Sequence, residues 1–170
     1  MTKIFLIGGR GVGKTTVGKL LADKRGWQFA DVDDDVVSAA GQSITALFNA
    51  SGEPAFRKLE SEALVRLVTS PTTVIATGGG IVLSKSNRDL LKQDGLVVWL
   101  TATPGVMYQR ISDDPATAHR RPNLTPIGGL AEMELVLRER EPLYREVADL
   151  IIDTTHLSPN EVVSAILAAC

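Results

Sequence analysis

The chain has 170 residues, of which 44% are hydrophobic and 22% charged, and its formal net charge at pH 7 is -2. This length predicts a single domain over residues 1–170 with a full core, and the balanced composition excludes disordered, collagen-like and coiled-coil chains. The small net charge argues against nucleic acid or an anionic membrane as a partner. The single cysteine, Cys170, and the short length of every apolar run predict a cytoplasmic protein.

Short apolar runs alternate along the chain with segments of helical periodicity. The predicted strands are Lys3–Ile7, Gln28–Val32, Val74–Ala76, Leu96–Leu100 and Leu150–Ile152. The predicted helices are one that begins at Lys14, then Glu53–Val68, Ser84–Gln93, Pro104–Ile111, Gly129–Val147 and Ser158–Ala169. This alternation predicts an α/β domain with a mainly parallel sheet. The irregular stretch Ser112–Gly128 is long for a loop, which predicts a functional lid over approximately residues 112–126.

A glycine-rich segment joins the first predicted strand to the first predicted helix. Its sequence, Gly8-Gly-Arg-Gly-Val-Gly-Lys14-Thr15, fits the pattern G-x-x-x-x-G-K-[ST]. Glycine lets the backbone wrap with its N–H groups inward, and the helix N-terminus adds positive potential. The motif therefore predicts phosphate binding, with Lys14 at the β- and γ-phosphates and the Thr15 hydroxyl as a ligand of Mg²⁺.

Two carboxylates lie at the end of the second predicted strand. The sequence contains no N-K-x-D motif, which argues against a GTPase, and Asp31 and Asp33 are the acids nearest to a strand end. Residues two apart in an extended segment face the same side, so both side chains are expected at one site. One could support Mg²⁺ and the other could orient or deprotonate a substrate hydroxyl. The alternative is that the run Asp33–Asp35 caps a helix.

Four arginines are candidate ligands of anions. Arg140 lies in an apolar helical stripe with Leu130, Met133, Leu137, Tyr144 and Val147, so it is expected to face inward, and Arg57 lies on a helix with Glu60. A buried guanidinium needs an anionic partner, and a substrate carboxylate fits its geometry. Internal ion pairs of Arg57 with Glu60 and of Arg140 with Glu134 or another acid are the alternative. Arg120 and Arg121 lie in the lid, where they either contact the γ-phosphate or remain in solvent.

In this order and spacing, the motifs resemble those of the shikimate kinases along nearly the whole chain. The matching segments are GGRGVGKTT, the pair Asp31 and Asp33, GEPAFRKLE around Arg57, VIATGGG over 74–80, Arg121-Pro122 and REPLYREVAD around Arg140. The resemblance implies the three-layer P-loop kinase fold, a five-stranded parallel sheet in the order 2-3-1-4-5 flanked by helices. It also implies ATP-dependent phosphorylation of the 3-hydroxyl of shikimate, on the route to chorismate and the aromatic amino acids.

The resemblance also assigns roles to residues of this chain. It places ATP on Gly11, Val12, Gly13, Lys14, Thr15, Thr16, Arg110, Arg121 and Pro159, and shikimate on Asp33, Arg57, Gly79, Gly80 and Arg140. Thr15 and Asp31 would hold Mg²⁺, and Asp33, Lys14 and Arg121 would be the catalytic residues. The lid is long and has Arg120 before Arg121, so either arginine is a candidate for the contact with ATP. The family further implies a monomer.

Two other functions are compatible with the phosphate-binding motif. One is a P-loop kinase for another small acceptor, such as gluconate or a nucleoside monophosphate. Two inward arginines beside a glycine triplet favour a compact carboxylate-bearing polyol over a nucleotide. The other is a nucleotide-binding switch without metabolic chemistry, against which the missing N-K-x-D speaks. His119 and His156 are isolated and are predicted at the surface, while Trp27 and Trp99 are predicted to pack.

Overall fold

Five short strands form one parallel sheet in the order β2-β3-β1-β4-β5. In the computed structural model, which describes residues 3–71, 73–115 and 122–170, they are β1 (Lys3–Ile7), β2 (Gln28–Asp31), β3 (Thr73–Ala76), β4 (Leu96–Thr101) and β5 (Leu150–Asp153). Every strand pairing is parallel, with Phe5 of β1 opposite Ile75 of β3 and Val97 of β4. The predicted strand order is confirmed.

Helices connect consecutive strands. They are α1 (Lys14–Arg25), α2 (Val32–Ala40), α3 (Ile44–Val68), α4 (Lys85–Asp94), α5 (Pro104–Asp113), α6 (Gly129–Val147) and α7 (Pro159–Ala169), with a 3-10 turn at Ile81–Leu83. Within the described ranges, no helix combines the length and the apolar character needed to cross a bilayer.

Because the strands are parallel and helices connect them, the C-terminal ends of the strands lead into loops and helix N-termini along one edge of the sheet. Ligands of α/β proteins bind at this edge.

The sheet is covered by helices on both faces because its central strands are apolar on both sides. Phe5 and Ile7 pack into one core cluster with α2, α3, α4 and the end of α6. Ile4 and Leu6 pack into a second cluster with α1, α5 and α7. All five residues of β1 are buried. This burial on both faces is typical of a parallel sheet and confirms the predicted three layers.

The structure corrects the sequence-based segments between β2 and β3. The second strand ends at Asp31 rather than Val32, because the Asp31 side chain caps α2, a helix that only the capping alternative implied. Helix α3 begins at Ile44, capped by Ser43, nine residues before the predicted Glu53. Gly52 interrupts it with φ 77° and ψ 175°, a conformation that favours glycine, so the predicted segment is the part after the break.

Two further predictions are changed. Leu130 is 39% exposed instead of facing the core, because the first turn of α6 lies outside both core clusters, whereas Arg140, Tyr144 and Val147 of the same stripe are buried. Ser112 belongs to α5 rather than to the lid. His119, Arg120 and Arg121 lie outside the described residues, so the predicted lid and its arginine stay predictions. His156 is exposed and Trp99 is buried, as predicted.

Candidate active site

The glycine-rich loop lies at the C-terminal end of β1, the central strand of the sheet. Gly11 and Gly13 have φ values of 77° and 96°, in the region that favours glycine. A side chain at Gly11 would also approach the Met107 carbonyl to 2.5 Å. The Lys14 ammonium donates to the carbonyls of Gly8 and Gly9, both at 2.7 Å. The loop thus encloses a lysine charge at the N-terminus of α1.

A cavity of about 620 Å³ opens above this loop. It brings together every described residue for which the sequence predicted a nucleotide or metal role: Gly11, Val12, Gly13, Lys14, Thr15, Thr16, Asp31, Arg110 and Pro159. Asp33 and Gly79 line the same cavity. Backbone N–H groups, a lysine and a helix N-terminus in one cavity constitute a site for a polyphosphate.

Asp31 and Asp33 are close together for a reason other than the one predicted. Asp33 lies in the first turn of α2 and not in an extended segment, and its backbone N–H donates to Asp31 Oδ1 at 2.9 Å. The Thr15 hydroxyl donates to Asp31 Oδ2 at 3.0 Å. Burial, followed by the charge of Asp33, raises the pKa of Asp31. The cap of α2 is therefore Asp31, while Asp35 pairs with Arg66.

Thr15 and Asp31 fit a magnesium ion by the chemistry of their oxygens. A hydroxyl and a carboxylate are hard ligands, and Mg²⁺ at phosphate sites uses few protein ligands together with phosphate oxygens and water. The described residues contain no cluster of three or more histidine, cysteine or acidic side chains that would form a self-sufficient metal centre. A positive ion beside Asp31 would also offset the burial of its carboxylate.

Arg57 packs across the glycine triplet that follows β3. A Cβ built on Gly80 would lie only 2.1 Å from one terminal nitrogen of Arg57, so the guanidinium occupies the space that a side chain would need. The same guanidinium donates to Glu60 at 2.9 Å and to Glu53 at 3.1 Å and 3.2 Å. The predicted alternative, an ion pair with Glu60, is confirmed. This pair fixes the guanidinium against Gly80.

Arg140 reaches the same glycine triplet from α6. It is 9% exposed, and a Cβ built on Gly79 would lie 3.5 Å from its guanidinium. Among the described residues, Arg140 forms no ion pair, and the predicted pair with Glu134 is not present. A second cavity of about 290 Å³ is lined by Arg140 and Phe48, and it shares Gly79 with the larger cavity.

Some residues that shape the site were not predicted to do so. Tyr144 is fully buried, donates to the Gly79 carbonyl at 2.5 Å and stacks on Trp99 at 5.5 Å between ring centroids. The Arg145 guanidinium lies over the Trp99 ring, 5.4 Å from its centroid. The i,i+4 spacing of Glu53 and Arg57 was a usable signal for their pairing. Nothing in the sequence pattern indicates the partner of a tyrosine hydroxyl.

Arg110 is also held in place by hydrogen bonds that the sequence did not predict. Its guanidinium donates to the Gly11 carbonyl at 3.2 Å, to the Thr154 hydroxyl at 3.0 Å and to the Thr154 carbonyl at 2.7 Å. These bonds connect α5, the glycine-rich loop and the end of β5. Arg110 and Pro159 line the larger cavity together with Thr154, Leu157 and Val162, so its lining includes apolar side chains.

A phosphate-binding loop after the central strand, with two arginines against the neighbouring glycine triplet, defines a P-loop kinase of a small molecule. The family model described as shikimate kinase matches residues 10–170. The chain belongs to the shikimate kinase family, an ATP-dependent family of small-molecule kinases.

Relatives along the full chain support this assignment. The shikimate kinase of Rhodopirellula baltica is 42% identical over 166 residues, which cover 98% of this chain and 89% of the relative. Shikimate kinase 2 of Yersinia enterocolitica is 45% identical over 164 residues, covering 96% and 92%. The structure of the Acinetobacter baumannii shikimate kinase in complex with shikimate matches with a TM-score of 0.92 and 35% identity, over 99% of this chain and 92% of that one.

Proposed function

We propose that this chain transfers the γ-phosphoryl group of ATP to the 3-hydroxyl of shikimate, giving 3-phosphoshikimate and ADP on the route to chorismate. The observation that carries the proposal is the convergence of Arg57 and Arg140 on Gly79 and Gly80, beside the phosphate-binding cavity. Membership of the shikimate kinase family supports the same acceptor, as does the similar Acinetobacter baumannii enzyme, which is described in complex with shikimate.

The two arginines bind the acceptor carboxylate in this proposal. Arg57 is 17% exposed at its side chain and is oriented by Glu53 and Glu60. Arg140 comes from another helix, so the two guanidinium groups approach the glycine triplet from two directions. Glycine at 80 leaves the space beside the backbone that the Arg57 guanidinium fills. Charge-assisted hydrogen bonds of this kind contribute about 1.5–3 kcal/mol each.

The donor is bound by the larger cavity. The amides of residues 11–16 and the Lys14 ammonium bind the phosphates, while Arg110 and Pro159 flank the adenine. Thr15 and Asp31 hold Mg²⁺, which when bound supplies positive charge beside the β- and γ-phosphates. The Thr15 hydroxyl and the Asp31 carboxylate lie 3.0 Å apart, so both can face one small ion.

The transfer itself is an in-line displacement. The 3-hydroxyl oxygen forms a bond to the γ-phosphorus as the bond from phosphorus to the β,γ-bridging oxygen breaks and ADP leaves. Asp33, which lines the cavity, orients the hydroxyl and accepts its proton. Lys14 and Arg121 stabilise the charge on the equatorial oxygens, and the lid that follows α5 excludes water. We also propose that the protein is cytoplasmic and monomeric. Sedimentation of the purified chain gives its mass in solution and so tests whether it is a monomer.

A coupled assay of ADP release tests the function directly. The purified chain is incubated with Mg-ATP and, separately, with shikimate, quinate, gluconate or a nucleoside monophosphate, and Lys14→Ala serves as the blank. We expect turnover with shikimate that the blank lacks. Turnover only with gluconate or a nucleotide would overturn the roles of Arg57 and Arg140. Nucleotide binding without turnover on any acceptor would favour the switch.

A further inference from the structure

Thr154 lies at a junction behind the phosphate-binding loop. It follows the last residue of β5 and is 2% exposed. Its hydroxyl oxygen is 3.1 Å from the Val12 carbonyl and 3.1 Å from the Thr101 carbonyl, and it accepts a hydrogen bond from Arg110 at 3.0 Å. A threonine hydroxyl has a single hydrogen to donate.

The Val12 carbonyl depends on this hydrogen. The Thr101 carbonyl already accepts the Thr154 backbone N–H at 2.7 Å. No backbone amide in the described part of the chain donates to the Val12 carbonyl. The neighbouring Gly11 carbonyl accepts from Arg110 at 3.2 Å, and Arg110 in turn donates to both oxygens of Thr154. Two successive carbonyls of the loop are therefore held, directly or through Arg110, by one threonine.

The orientation of these carbonyls determines where the loop's N–H groups point. In a trans peptide unit, the C=O of one residue and the N–H of the next point in opposite directions. A Gly11 carbonyl held outward turns the Val12 N–H inward, and a Val12 carbonyl held outward turns the Gly13 N–H inward. All three residues line the larger cavity. Within the described residues, neither amide donates a backbone hydrogen bond, so both are available to an anion.

We propose that Thr154 is a positioning residue for the phosphoryl donor. Thr154 itself lines the larger cavity, and its hydroxyl sets the orientation of the amides of Val12 and Gly13 that face the phosphates. The proposal rests on the nucleotide-binding part of the proposed function and not on the identity of the acceptor.

The test compares three variants with the wild-type chain. Thr154→Val keeps the shape of the side chain and removes the hydroxyl, while Thr154→Ser keeps the hydroxyl. Thr73→Val is the matched control, because Thr73 is 1% exposed and its hydroxyl donates to the Pro71 carbonyl at the opposite end of the sheet. Calorimetric titration with Mg-ATP in the absence of acceptor gives the dissociation constant, and thermal unfolding confirms that each variant is folded.

We expect Thr154→Val to weaken ATP binding about 5- to 30-fold, the equivalent of one buried hydrogen bond. Thr154→Ser should bind ATP within about twofold of wild type, because it keeps the hydroxyl. Thr73→Val should do so as well, because the loss of one buried hydrogen bond remote from the loop changes stability alone. In steady state, the KM for ATP should rise in Thr154→Val while the KM for shikimate stays unchanged. ATP affinity within twofold of wild type in Thr154→Val would overturn the proposal, as would equal weakening in Thr154→Ser.

A spectroscopic measurement distinguishes orientation of the loop from a general loss of packing. In nitrogen–proton correlation spectra, the amide signals of Val12 and Gly13 should move on addition of ADP to the wild-type chain. The displacement should shrink in Thr154→Val and return in Thr154→Ser. An undiminished displacement in folded Thr154→Val would show that these amides reach the phosphates without the hydroxyl, and would overturn the proposal.

Discussion

A methyl group added at Gly80 should displace Arg57 and weaken acceptor binding without affecting ATP. The backbone of Gly80 has φ -91° and ψ 3°, which alanine adopts without strain. The added Cβ, however, would lie 2.1, 2.3 and 2.6 Å from three atoms of the Arg57 guanidinium. An ordinary contact of this kind is at least 3.4 Å, so the guanidinium must move by more than 1 Å and stretch its bonds to Glu53 and Glu60.

The size of the effect follows from the bond that is lost. A charge-assisted hydrogen bond contributes about 1.5–3 kcal/mol, which corresponds to about 10- to 150-fold in affinity. We therefore expect the KM for shikimate to rise by that factor in Gly80→Ala, with the KM for ATP within twofold. Gly105→Ala is the control, because a Cβ there meets nothing within 4 Å. The coupled assay of ADP release measures both constants.

The double variant Arg57→Ala/Gly80→Ala identifies the route of the effect. If the methyl group acts by displacing Arg57, it has nothing left to displace once Arg57 is alanine, and the double variant should match Arg57→Ala. Additive losses would refute the reasoning, because they would mean that the methyl group obstructs the acceptor itself. A normal KM for shikimate in Gly80→Ala would refute it as well.

Four other changes test separate parts of the molecule. Asp33→Asn should lower kcat far more than it changes the dissociation constant for ATP, and near-normal turnover would remove Asp33 from the chemistry. Tyr144→Phe should cost about 1–3 kcal/mol in urea unfolding and raise the KM for shikimate, because the Gly79 carbonyl loses its donor; an unchanged KM would separate Tyr144 from the site. Ser158→Ala should lower the urea midpoint at pH 7, because it removes the cap of α7. Hydrogen bonds from Ser158 lower the pKa of Glu161, so the part of the cap that involves this carboxylate is present above pH 4.5 and is lost as the pH falls through the lowered pKa; the difference in midpoint from wild type should therefore shrink as the pH is lowered from 4.5, and a constant difference would contradict the assignment. Hydrogen exchange over residues 112–126 should slow when ATP and shikimate are both added, and unchanged exchange would count against a lid.

The sheet was predictable because its strands carry their own signal. Central parallel strands such as Ile4–Ile7 are apolar on both faces, and glycines end β1 and follow β3. Helix α2 carried little signal, since its nine residues contain three acidic and three β-branched side chains. It is stabilised by packing Val32 and Val36 into the core and by the cap from Asp31, neither of which is visible in a local pattern.

The site was predictable where one residue type is needed for one kind of chemistry. The spacing of the glycines and Lys14 identified the phosphate cavity, and the periodicity of α6 placed Arg140 inside. The geometry of Asp31 and Asp33 was predicted for the wrong reason, because an extended backbone was assumed where a helix begins. Contacts between distant segments, such as Tyr144 with Gly79, depend on three-dimensional packing and could not be read from spacing.

The stack of Trp99 on Tyr144 gives the chain an optical property. Trp99 is 5% exposed and touches the tyrosine whose hydroxyl holds Gly79, so its fluorescence is coupled to the backbone of Gly79, which lines both cavities. Trp27, the other indole, lies beside Arg25 after α1, in the second core cluster and not in the first. Binding of a ligand at Gly79 should therefore change the emission of Trp99 and leave that of Trp27 unchanged, as an internal reference. In Trp27→Phe, Trp99 is the only remaining indole, so the emission of the chain reports binding without any attached dye.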